Sequence, residues 1–501
     1  DYYEIQYHNC DDQIEYNQYL YEMSKKYNKP LIVGTDTHSL NQYKAECRII
    51  LQMGKDAEFS KGDSDGSNED IFDLTYKSYD ELVDMFKEQN SLPMDVILQA
   101  IENTNIMADS VESFELDTSI KYPVLYGEDD EKVMWQTLRD KYKYKLDNGI
   151  IQKNQRYIDD IKEEMRVFKK TDMVGFMLFM SELMTWCREQ GIPTSPCRGS
   201  VGGSTVAYIS DITDVDPIVR NTVFSRFANE DRKEIGDIDI DVYEDQRPLV
   251  YDYIINRFGK EKTAFILSSG TAVDKGTIDI IGKALRKRWA REKCKGMDNF
   301  KQESEKLEKS QENPYRLSFI KEIKSEFDAD QESTRKKYED FFYYFDGILG
   351  TKVNQSQHPA GIIASPINLI DNYGCFIGAD GQYILPINME EIHEINLAKY
   401  DILGLKNVGI VRKTCEYANI KYPLSHEIDW NDLDVYKDMI TSPIGIFQFE
   451  GDYAFKLLKG FIELNINDPN RSPSIDCMSL VNASLRPSGE SYRDKLLAGI
   501  V

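Results

Sequence analysis

Three aspartates stand at alternate positions within the segment KEIGDIDIDVYED, residues 233–245. Alternation is the period of a β-strand, so Asp237, Asp239 and Asp241 are expected to project from one face. Neighbouring carboxylates would stand about 6.6 Å apart along the strand and repel one another. Bridging divalent cations would turn this repulsion into coordination, because Mg²⁺ prefers such oxygen ligands, and two ions would suit phosphoryl transfer. A solvated, charged edge strand is the alternative, and the segment alone does not decide between them.

A glycine-rich segment, CRGSVGGS at 197–204, could hold a phosphate. Gly199 and Ser200 begin a run in which backbone amides could approach an anion, and the N-terminus of a following helix would favour one. Arg198 is a fork-shaped phosphate ligand. An ordinary flexible turn is the alternative. The segment lacks the GKS/T ending of a P-loop, which disfavours a Walker-type ATPase.

Further charged residues could complete such a site. Asp401, in NLAKYDILGL (396–405), is a candidate third carboxylate, with Lys399 two positions earlier on the same strand face. The local pattern instead favours Asp401 as a residue at a helix N-terminus. Arg226 and Arg232, just before the aspartates, could face the same site or solvent.

The histidines offer weaker candidates for metal ligands. His358 precedes a strand of small residues and is expected to be packed or hydrogen-bonded. Asp36 and His38 have ligand-like spacing after a predicted strand, and His8 is the only other candidate nearby. A pair alone does not make a metal site.

Charge is unevenly distributed along the chain. The net charge of −25 argues against a nucleic-acid partner, but residues 283–309 are dominated by Lys and Arg in their first half, whereas residues 56–73 are acidic. The basic segment is interpreted either as a solvated helix face or as a helix that binds the phosphate backbone of a nucleic acid. Net charge therefore does not settle the partner.

Length and composition exclude several classes of protein. A chain of 501 residues predicts three or more domains, and 41% hydrophobic with 11% aromatic residues exclude a disordered chain. The sequence has no apolar run long enough to span a membrane. Eight cysteines without a CxxC pair predict reduced thiols in a cytoplasm and make structural zinc unexpected. The start at Asp1 and the abrupt end suggest a fragment.

Hydrophobic periodicity predicts the elements that must position these residues. The first forty residues indicate a β-α-β unit, and Ser78 with Glu81 forms a capping-box pattern. The remaining predictions are a loop over 55–70, mostly helix over 78–148, two helices in 154–190, a helix after the glycine-rich turn, a helix over 246–259, a strand over 263–271, a helical insertion over 275–345, strands at 358–365 and 396–405, a helix from 402 to 418, and mostly helix beyond 431.

The order of these segments resembles the bacterial replicative DNA polymerase III alpha subunit, the C-family of DNA polymerases. The similarity covers nearly the whole chain. The segments that carry it are DYYEIQYHN, LIVGTDTHSLNQYKAECRIILQMGK, GIPTSPCRGSVGGSTVAYISDITDVDP, FSRFANEDRKEIGDIDIDVYEDQR, SSGTAVDKGTIDIIGKAL, QHPAGIIAS, AKYDILGL, IGIFQFEGDYAFKLLKGF and NASLRPSG.

The resemblance implies a multidomain α+β architecture. A palm with the DNA polymerase β-like nucleotidyltransferase fold would carry an inserted helical thumb and follow the end of a PHP-type α/β domain. The implied domains are the PHP-like end at 1–60, a mostly helical connection at 61–160, the first part of the palm at 161–274, the thumb at 275–350, the second part of the palm at 351–430 and the start of the fingers at 431–501.

The resemblance also implies roles for individual residues. Asp237, Asp239 and Asp401 match the catalytic, metal-binding triad. Asp241 falls where some relatives carry an amide, so its charge is not expected to be required. The implied nucleotide-binding residues are Arg198, Gly199, Ser200, Arg226, Arg232 and Lys399, and the implied DNA-binding residues are Lys275, Lys283, Arg286, Lys287, Arg288 and Arg291.

The implied function is template-directed DNA synthesis in replication. Two Mg²⁺ ions, which Mn²⁺ could replace, would transfer a nucleotide from a dNTP to a primer 3′-hydroxyl on primer-template DNA. A sliding clamp and other replisome proteins would bind through segments absent from this chain, in a bacterial or infected-host cytoplasm. Only the last Asp-x-His pair of the PHP metal ligands is present, which argues against phosphoesterase or proofreading activity. A second polypeptide completing the fingers is a further hypothesis.

Two other functions stay open. The first is a template-independent nucleotidyltransferase of the same palm superfamily, although Ser200 and Asp237 lie 37 positions apart, farther than in small members of that superfamily. The second is a non-catalytic DNA-binding remnant or subunit, against which the intact Asp237, Asp239 and Asp401 argue.

Overall fold

The chain forms two structural units, each built from two separate stretches of sequence. Unit 1 comprises residues 1–115 and 269–355, and unit 2 comprises residues 116–268 and 356–501. Both helices and strands contribute, so the expected mixed α+β class is confirmed at that level.

A computed structural model describes residues 1–55, 73–230, 238–466 and 473–497. Asp237 and Arg232 therefore lie outside the described residues, as does nearly all of the predicted loop over 55–70. None of the described helices is long and apolar enough to cross a membrane.

The described strands form two sheets. One is a parallel pair of strands, and the other has six strands in both parallel and antiparallel pairings. In the described residues the strands are β1 (Tyr3–Ile5), β2 (Leu31–Val33), β3 (Asp239–Val242), β4 (Thr263–Thr271), β5 (Lys352–Ala364), β6 (Phe376–Ile377), β7 (Tyr383–Leu385) and β8 (Lys399–Gly404). Strands β1 and β2 pair in parallel, and the larger sheet has the order β3-β8-β5-β4-β7-β6.

Helices account for most of the remaining described residues. In chain order they are α1 (Asp11–Tyr27), α2 (Gln42–Gly54), α3 (Tyr79–Gln89), α4 (Met94–Asp109), α5 (Asp130–Asp147), α6 (Gln155–Lys170), α7 (Val174–Glu189), α8 (Thr205–Ile209), α9 (Arg247–Phe258), α10 (Asp274–Cys294), α11 (Phe300–Glu308), α12 (Leu317–Ala329), α13 (Gln331–Lys337), α14 (Glu339–Ile348), α15 (Leu369–Tyr373), α16 (Met389–Glu394), α17 (Lys406–Ala418), α18 (Leu433–Met439), α19 (Asp452–Asn465), α20 (Ile475–Ser484) and α21 (Glu490–Leu497).

Unit 1 confirms the predicted β-α-β start and the capping box. Ser78 accepts a hydrogen bond from the Glu81 amide, and the Glu81 carboxylate accepts one from the Ser78 amide, so two unsatisfied amides of α3 are paired. Isoleucines and phenylalanines of α2, α10, α12 and α14 form one hydrophobic core of this unit. The predicted insertion over 275–345 is helical, as expected.

The basic segment at 283–309 is not a single helix, contrary to its interpretation as one helical face. Helix α10 ends at Cys294, and Gly296 adopts a φ of +84°, a left-handed conformation that interrupts the helical path. A separate helix, α11, begins at Phe300. The first part of the basic segment belongs to a longer helix that starts at Asp274.

Unit 2 contains the two helices predicted in 154–190, which are α6 and α7, and most of the six-stranded sheet. Helix α7 is buried on almost every side, with Phe176, Phe179 and Leu183 fully enclosed in the largest hydrophobic core among the described residues. The helix predicted from Ile402 begins instead at Lys406. Residues 399–404 form β8, which pairs with β3 on one side and β5 on the other, and the apolar run conceals the boundary between this strand and the helix.

Candidate active site

Two aspartates far apart in the chain lie side by side in the sheet. Strand β3 runs parallel to β8, and the register makes Asp239 the partner of Asp401. Strand β5 pairs with the other side of β8 and places Gly361 opposite Asp401. Asp401 therefore lies within a strand, so its assignment to a helix N-terminus on the local pattern is wrong.

The alternative of a solvated edge strand holds for β3 only in part. Strand β3 is the last strand of the sheet, but residues 193–195 run antiparallel along its outer edge. The amide of Ser195 donates to the Asp241 carbonyl at 2.9 Å, and Thr194 bridges Val242. Ile240 and Val242 are buried, as is Asp241. Asp241 is thus covered, whereas the Asp239 side chain remains 32% exposed.

Lys399 neutralises part of the charge of Asp401 from within the core. Its Nζ lies 2.8 Å from Asp401 Oδ2, and its side chain is only 2% exposed. The other carboxylate oxygen, Asp401 Oδ1, is buried and has no hydrogen-bond partner within the described stretches. A buried acceptor without a donor is costly in free energy, so this oxygen lacks the partner that a buried carboxylate oxygen normally has.

Arg198 binds two of the strand carboxylates. It donates to Asp241 Oδ1 at 2.8 Å, and its Nε lies 3.6 Å from Asp239 Oδ2. Ser195 Oγ donates to the second oxygen of Asp241 at 3.1 Å. Asp241 therefore anchors Arg198 beside Asp239, a role that the sequence interpretation did not assign. Ser195 was missed because a serine in a proline-containing loop is an unremarkable pattern.

Replacing Asp241 is expected to separate its charge from its hydrogen bonds. Asp241→Asn keeps an acceptor for Arg198, so we expect a loss of about 1 kcal/mol in the free energy of unfolding, whereas Asp241→Ala should cost about 2–3 kcal/mol. Chemical denaturation of the two variants measures the difference. Equal losses would show that the charge, rather than the hydrogen bonds, holds Arg198. The exposed Asp252 of α9 provides a control for the same substitutions.

The glycine-rich loop, residues 199–203, begins beside this carboxylate site. Gly199 has φ 73° and ψ −160°, a combination that only glycine adopts readily, and a Cβ there would stand 3.8 Å from Asp239 Oδ2. Ser200 is exposed at the start of a 3-10 turn over 200–203. Gly203 packs so tightly on the Val223 carbonyl that a Cβ would approach it to 2.6 Å. The loop therefore lies against the turn that ends at Arg226, which is exposed.

The N-terminus of α8 does not offer the anion site expected there, because Glu164 of α6 already occupies it. The Glu164 carboxylate accepts hydrogen bonds from Ser204 Oγ at 2.6 Å and from the amides of Thr205 and Val206 at 2.8 and 2.9 Å. Burial raises the pKa of Glu164 to about 7, although these hydrogen bonds act to lower it. A phosphate bound here would therefore have to use the amides of residues 199–203.

Glu164 was missed by the sequence interpretation, although a pattern for it exists. It lies on the face of α6 that also carries Tyr157, Ile161, Met165 and Phe168, all buried. A carboxylate on the apolar face of an amphipathic helix requires a buried partner. That pattern was sufficient to single it out.

His358 is hydrogen-bonded, as expected. Its Nδ1 accepts from the amides of Ala360 and Gly361, at 3.3 and 2.9 Å. Burial lowers the pKa of His358, while the nearby Asp401 acts to raise it. The ring packs beside the carboxylate site, and a Cβ at Gly361 would stand 3.1 Å from it and 3.2 Å from Asp401 Oδ1.

In unit 1, His8, Asp36 and His38 lie close together beyond the ends of β1 and β2. Nε2 of His8 is 3.7 Å from one Asp36 oxygen, and Nδ1 of His38 is 3.5 Å from the other. Asp36 has a φ of 46°, in the left-handed region. The structure brings together the three residues that the sequence singled out, without converging them on a metal-binding geometry.

The cations of α10 are largely engaged within unit 1. Lys275 pairs with Asp328 at 2.9 Å, Arg286 with Glu308 at 3.2 Å and Arg288 with Glu292 at 3.1 Å. Lys287 donates to the Met53 carbonyl, and burial lowers its pKa. Lys283 and Arg291 lie on the same helix, partly buried. DNA binding by these six residues stays a prediction.

No group of three His, Cys, Asp or Glu side chains that could hold a metal occurs in residues 1–55, 73–230, 238–466 or 473–497. The carboxylates nevertheless fit a divalent cation. Asp239, Asp241 and Asp401 outnumber Arg198 and Lys399, which leaves one net negative charge, and Asp401 Oδ1 has no donor in the described chain. The absence of a side chain at Gly361 keeps a Cβ from standing 3.2 Å from that oxygen. Asp237, two positions before Asp239, would add another carboxylate.

Comparisons with known proteins identify the family. Several relatives are named DNA polymerase III subunit alpha. The one from Aquifex aeolicus is 27% identical, and the match covers 91% of this chain and 41% of the relative. For Campylobacter jejuni the identity is 25%, with 90% of this chain and 38% of the relative covered, and for Borreliella burgdorferi it is 26%, with 99% of this chain and 41% of the relative covered. The chain thus spans about two fifths of the length of these relatives.

The family match covers more than half of the chain and contains the site just described. Residues 131–404 match the family described as "Bacterial DNA polymerase III alpha NTPase domain". The matched range includes Glu164, the loop at 199–203, strand β3 and the whole of β8. This chain belongs to the bacterial DNA polymerase III alpha family.

Proposed function

We propose that this chain carries the nucleotidyl-transfer site of a template-directed DNA polymerase that acts in replication. The observation that supports it most strongly is the pairing of Asp239 with Asp401 on adjacent strands, with a buried Asp401 oxygen that no described donor reaches. Asp237 would be the third member of the metal-binding set. In this proposal the six-stranded sheet belongs to a palm, helices α10–α14 to a thumb and residues 1–60 to the end of a PHP-like domain.

The residues of the site would act mainly by binding and orientation. Mg²⁺ held by Asp237, Asp239 and Asp401 would supply charge stabilisation at the transferring phosphate and lower the pKa of the primer 3′-hydroxyl. The amides of Gly199 and Ser200 would orient the dNTP triphosphate, with Arg198, Arg226, Arg232 and Lys399 supplying positive charge.

Lys399 and Arg198 have a second role in this arrangement. Each is bound to a carboxylate at 2.8 Å, so both hold the acidic side chains in fixed positions before a cation arrives. Preorganised charge is the largest contribution that a protein makes to such a transfer. Primer-template DNA would lie along the cations of α10, and clamp and replisome contacts would belong to regions of the longer relatives outside this match.

Primer extension tests the proposal. The parent chain is incubated with Mg²⁺, the four dNTPs and a primer-template pair. The reaction is run with this chain alone and again with a second polypeptide, which corresponds to the part of a longer relative outside the matched region. Incorporation of the nucleotides that the template dictates supports the proposal. Addition regardless of template would instead indicate a template-independent nucleotidyltransferase. DNA binding without incorporation in either format would leave the chain a non-catalytic subunit.

A further inference from the structure

Glu164 is a buried acidic residue that the proposed chemistry does not use. It is 2% exposed, and its two oxygens accept hydrogen bonds from three consecutive residues, Ser204, Thr205 and Val206. These residues follow the glycine-rich loop at 199–203 without a gap. The carboxylate therefore determines where the loop ends.

The opposite end of the loop is held by the carboxylate strand. Thr194 and Ser195 lie along β3, and Arg198, the residue before the loop, is bound by Asp241 at 2.8 Å. Between these two attachments the backbone passes Asp239, since a Cβ at Gly199 would stand 3.8 Å from its carboxylate. The position of the loop amides thus depends on both ends.

Helix α6 also contacts the neighbouring turn that carries Arg226. The Phe168 ring packs edge-on against Phe224 and Phe227, with ring centroids 5.6 and 6.1 Å apart. Glu164 and Phe168 are four positions apart and share one helix face. One rigid helix therefore fixes the loop and the turn relative to each other.

We propose that Glu164 is a positioning residue that holds the loop amides of residues 199–203 where they bind the triphosphate of the incoming nucleotide. Its carboxylate takes the anion position at the start of α8 and so confines the triphosphate to the loop. The inference rests on the proposed nucleotidyl-transfer function. It adds a residue that touches neither metal nor substrate.

Glu164→Gln tests this role, because an amide fits the same space but offers one acceptor oxygen instead of two. One of the three donors then faces an amide NH₂ group. We expect the dissociation constant of a non-hydrolysable dNTP with Mg²⁺, measured on the full chain well above pH 7, to rise about tenfold. Exchange of the Thr205 and Val206 amides should quicken, while the affinity for primer-template DNA should not change.

The neighbouring Glu163 gives a matched control. It lies on the exposed side of the same helix, 60% exposed, and pairs with Arg166 at 2.7 Å. Glu163→Gln should leave nucleotide affinity and amide exchange unchanged. If Glu164→Gln fails to fold, Ser204→Ala removes one of the three donors to Glu164, together with the acceptor of the Ala207 amide, and should weaken nucleotide binding about threefold.

Three outcomes would count against this inference, and they separate it from the proposed function. Unchanged nucleotide affinity in Glu164→Gln, or in Ser204→Ala where that variant has to replace it, overturns the positioning role and leaves the proposed function intact. Absence of nucleotide binding by the parent overturns both. Equal weakening of nucleotide and DNA binding would indicate a general structural role and also contradict the inference.

Discussion

Asp239→Asn is expected to reduce nucleotide incorporation at least about 1000-fold, because a neutral amide removes one of the charges that would hold the proposed divalent cation. The substitution preserves the shape of the side chain, and the Asp239 side chain is partly exposed. Folding and DNA binding should therefore be nearly unchanged. Primer extension at saturating Mg²⁺, with band-shift measurements on the same preparation, gives both quantities.

Asp252→Asn is the matched control for this prediction. Asp252 lies on α9 in the same unit, is exposed, and should tolerate the amide without effect. Asp401→Asn should lose incorporation to a similar degree but should also lose stability, since Lys399 would remain buried without its counter-charge. Normal extension by Asp239→Asn would show that the metal assignment is wrong.

Lys399→Met is expected to lower the free energy of unfolding by about 3 kcal/mol, the effect of leaving one member of a buried ion pair without its partner. The methionine fills similar volume, so the loss arises from charge rather than from a cavity. The remaining Asp401 carboxylate would face Asp239 with less neutralisation. Guanidinium denaturation of the full chain, in buffer without divalent cations, measures this effect.

The dependence on Mg²⁺ distinguishes this explanation from a simple packing defect. A divalent cation would replace the missing charge, so Mg²⁺ should raise the melting temperature of Lys399→Met more than that of the parent. Lys406→Met, at the exposed start of α17, is the control and should match the parent in both buffers. An equal response of Lys399→Met and parent to Mg²⁺ would contradict a cation site at Asp401.

Local pattern predicted most elements but could not place the site. The alternation around Asp239 and the turn residues at 197–204 have short periods that a sequence displays directly. The neighbour of Asp239, however, lies 162 positions away at Asp401, and no local period reveals that two strands pair. The residue pattern offered Asp401 as a candidate third carboxylate, but only the family resemblance assigned it to one site with Asp239. The register of β3 and β8 places those two together, while Asp237 lies outside the described residues.

Two errors have a common physical origin. The start of α17 was placed at Ile402 because the buried strand β8 runs into the helix without a break in hydrophobicity. The anion site at α8 was expected because a glycine-rich turn before a helix normally leaves amides unsatisfied. In both cases a tertiary contact decides, through pairing of β8 in the sheet and through Glu164 from another helix.

The long separation between β3 and β8 has a consequence for synthesis on the ribosome. At about 5–20 residues per second, β8 emerges about 8–30 s after β3. During that interval residues 193–195 can already cover one edge of β3, while the other edge awaits its partner. Exposed strand edges invite pairing between nascent chains, and like charges along an edge oppose it. Repulsion between chains that both carry Asp239 and Asp241 on this strand would then protect the growing chain from aggregation, before these carboxylates take part in any chemistry.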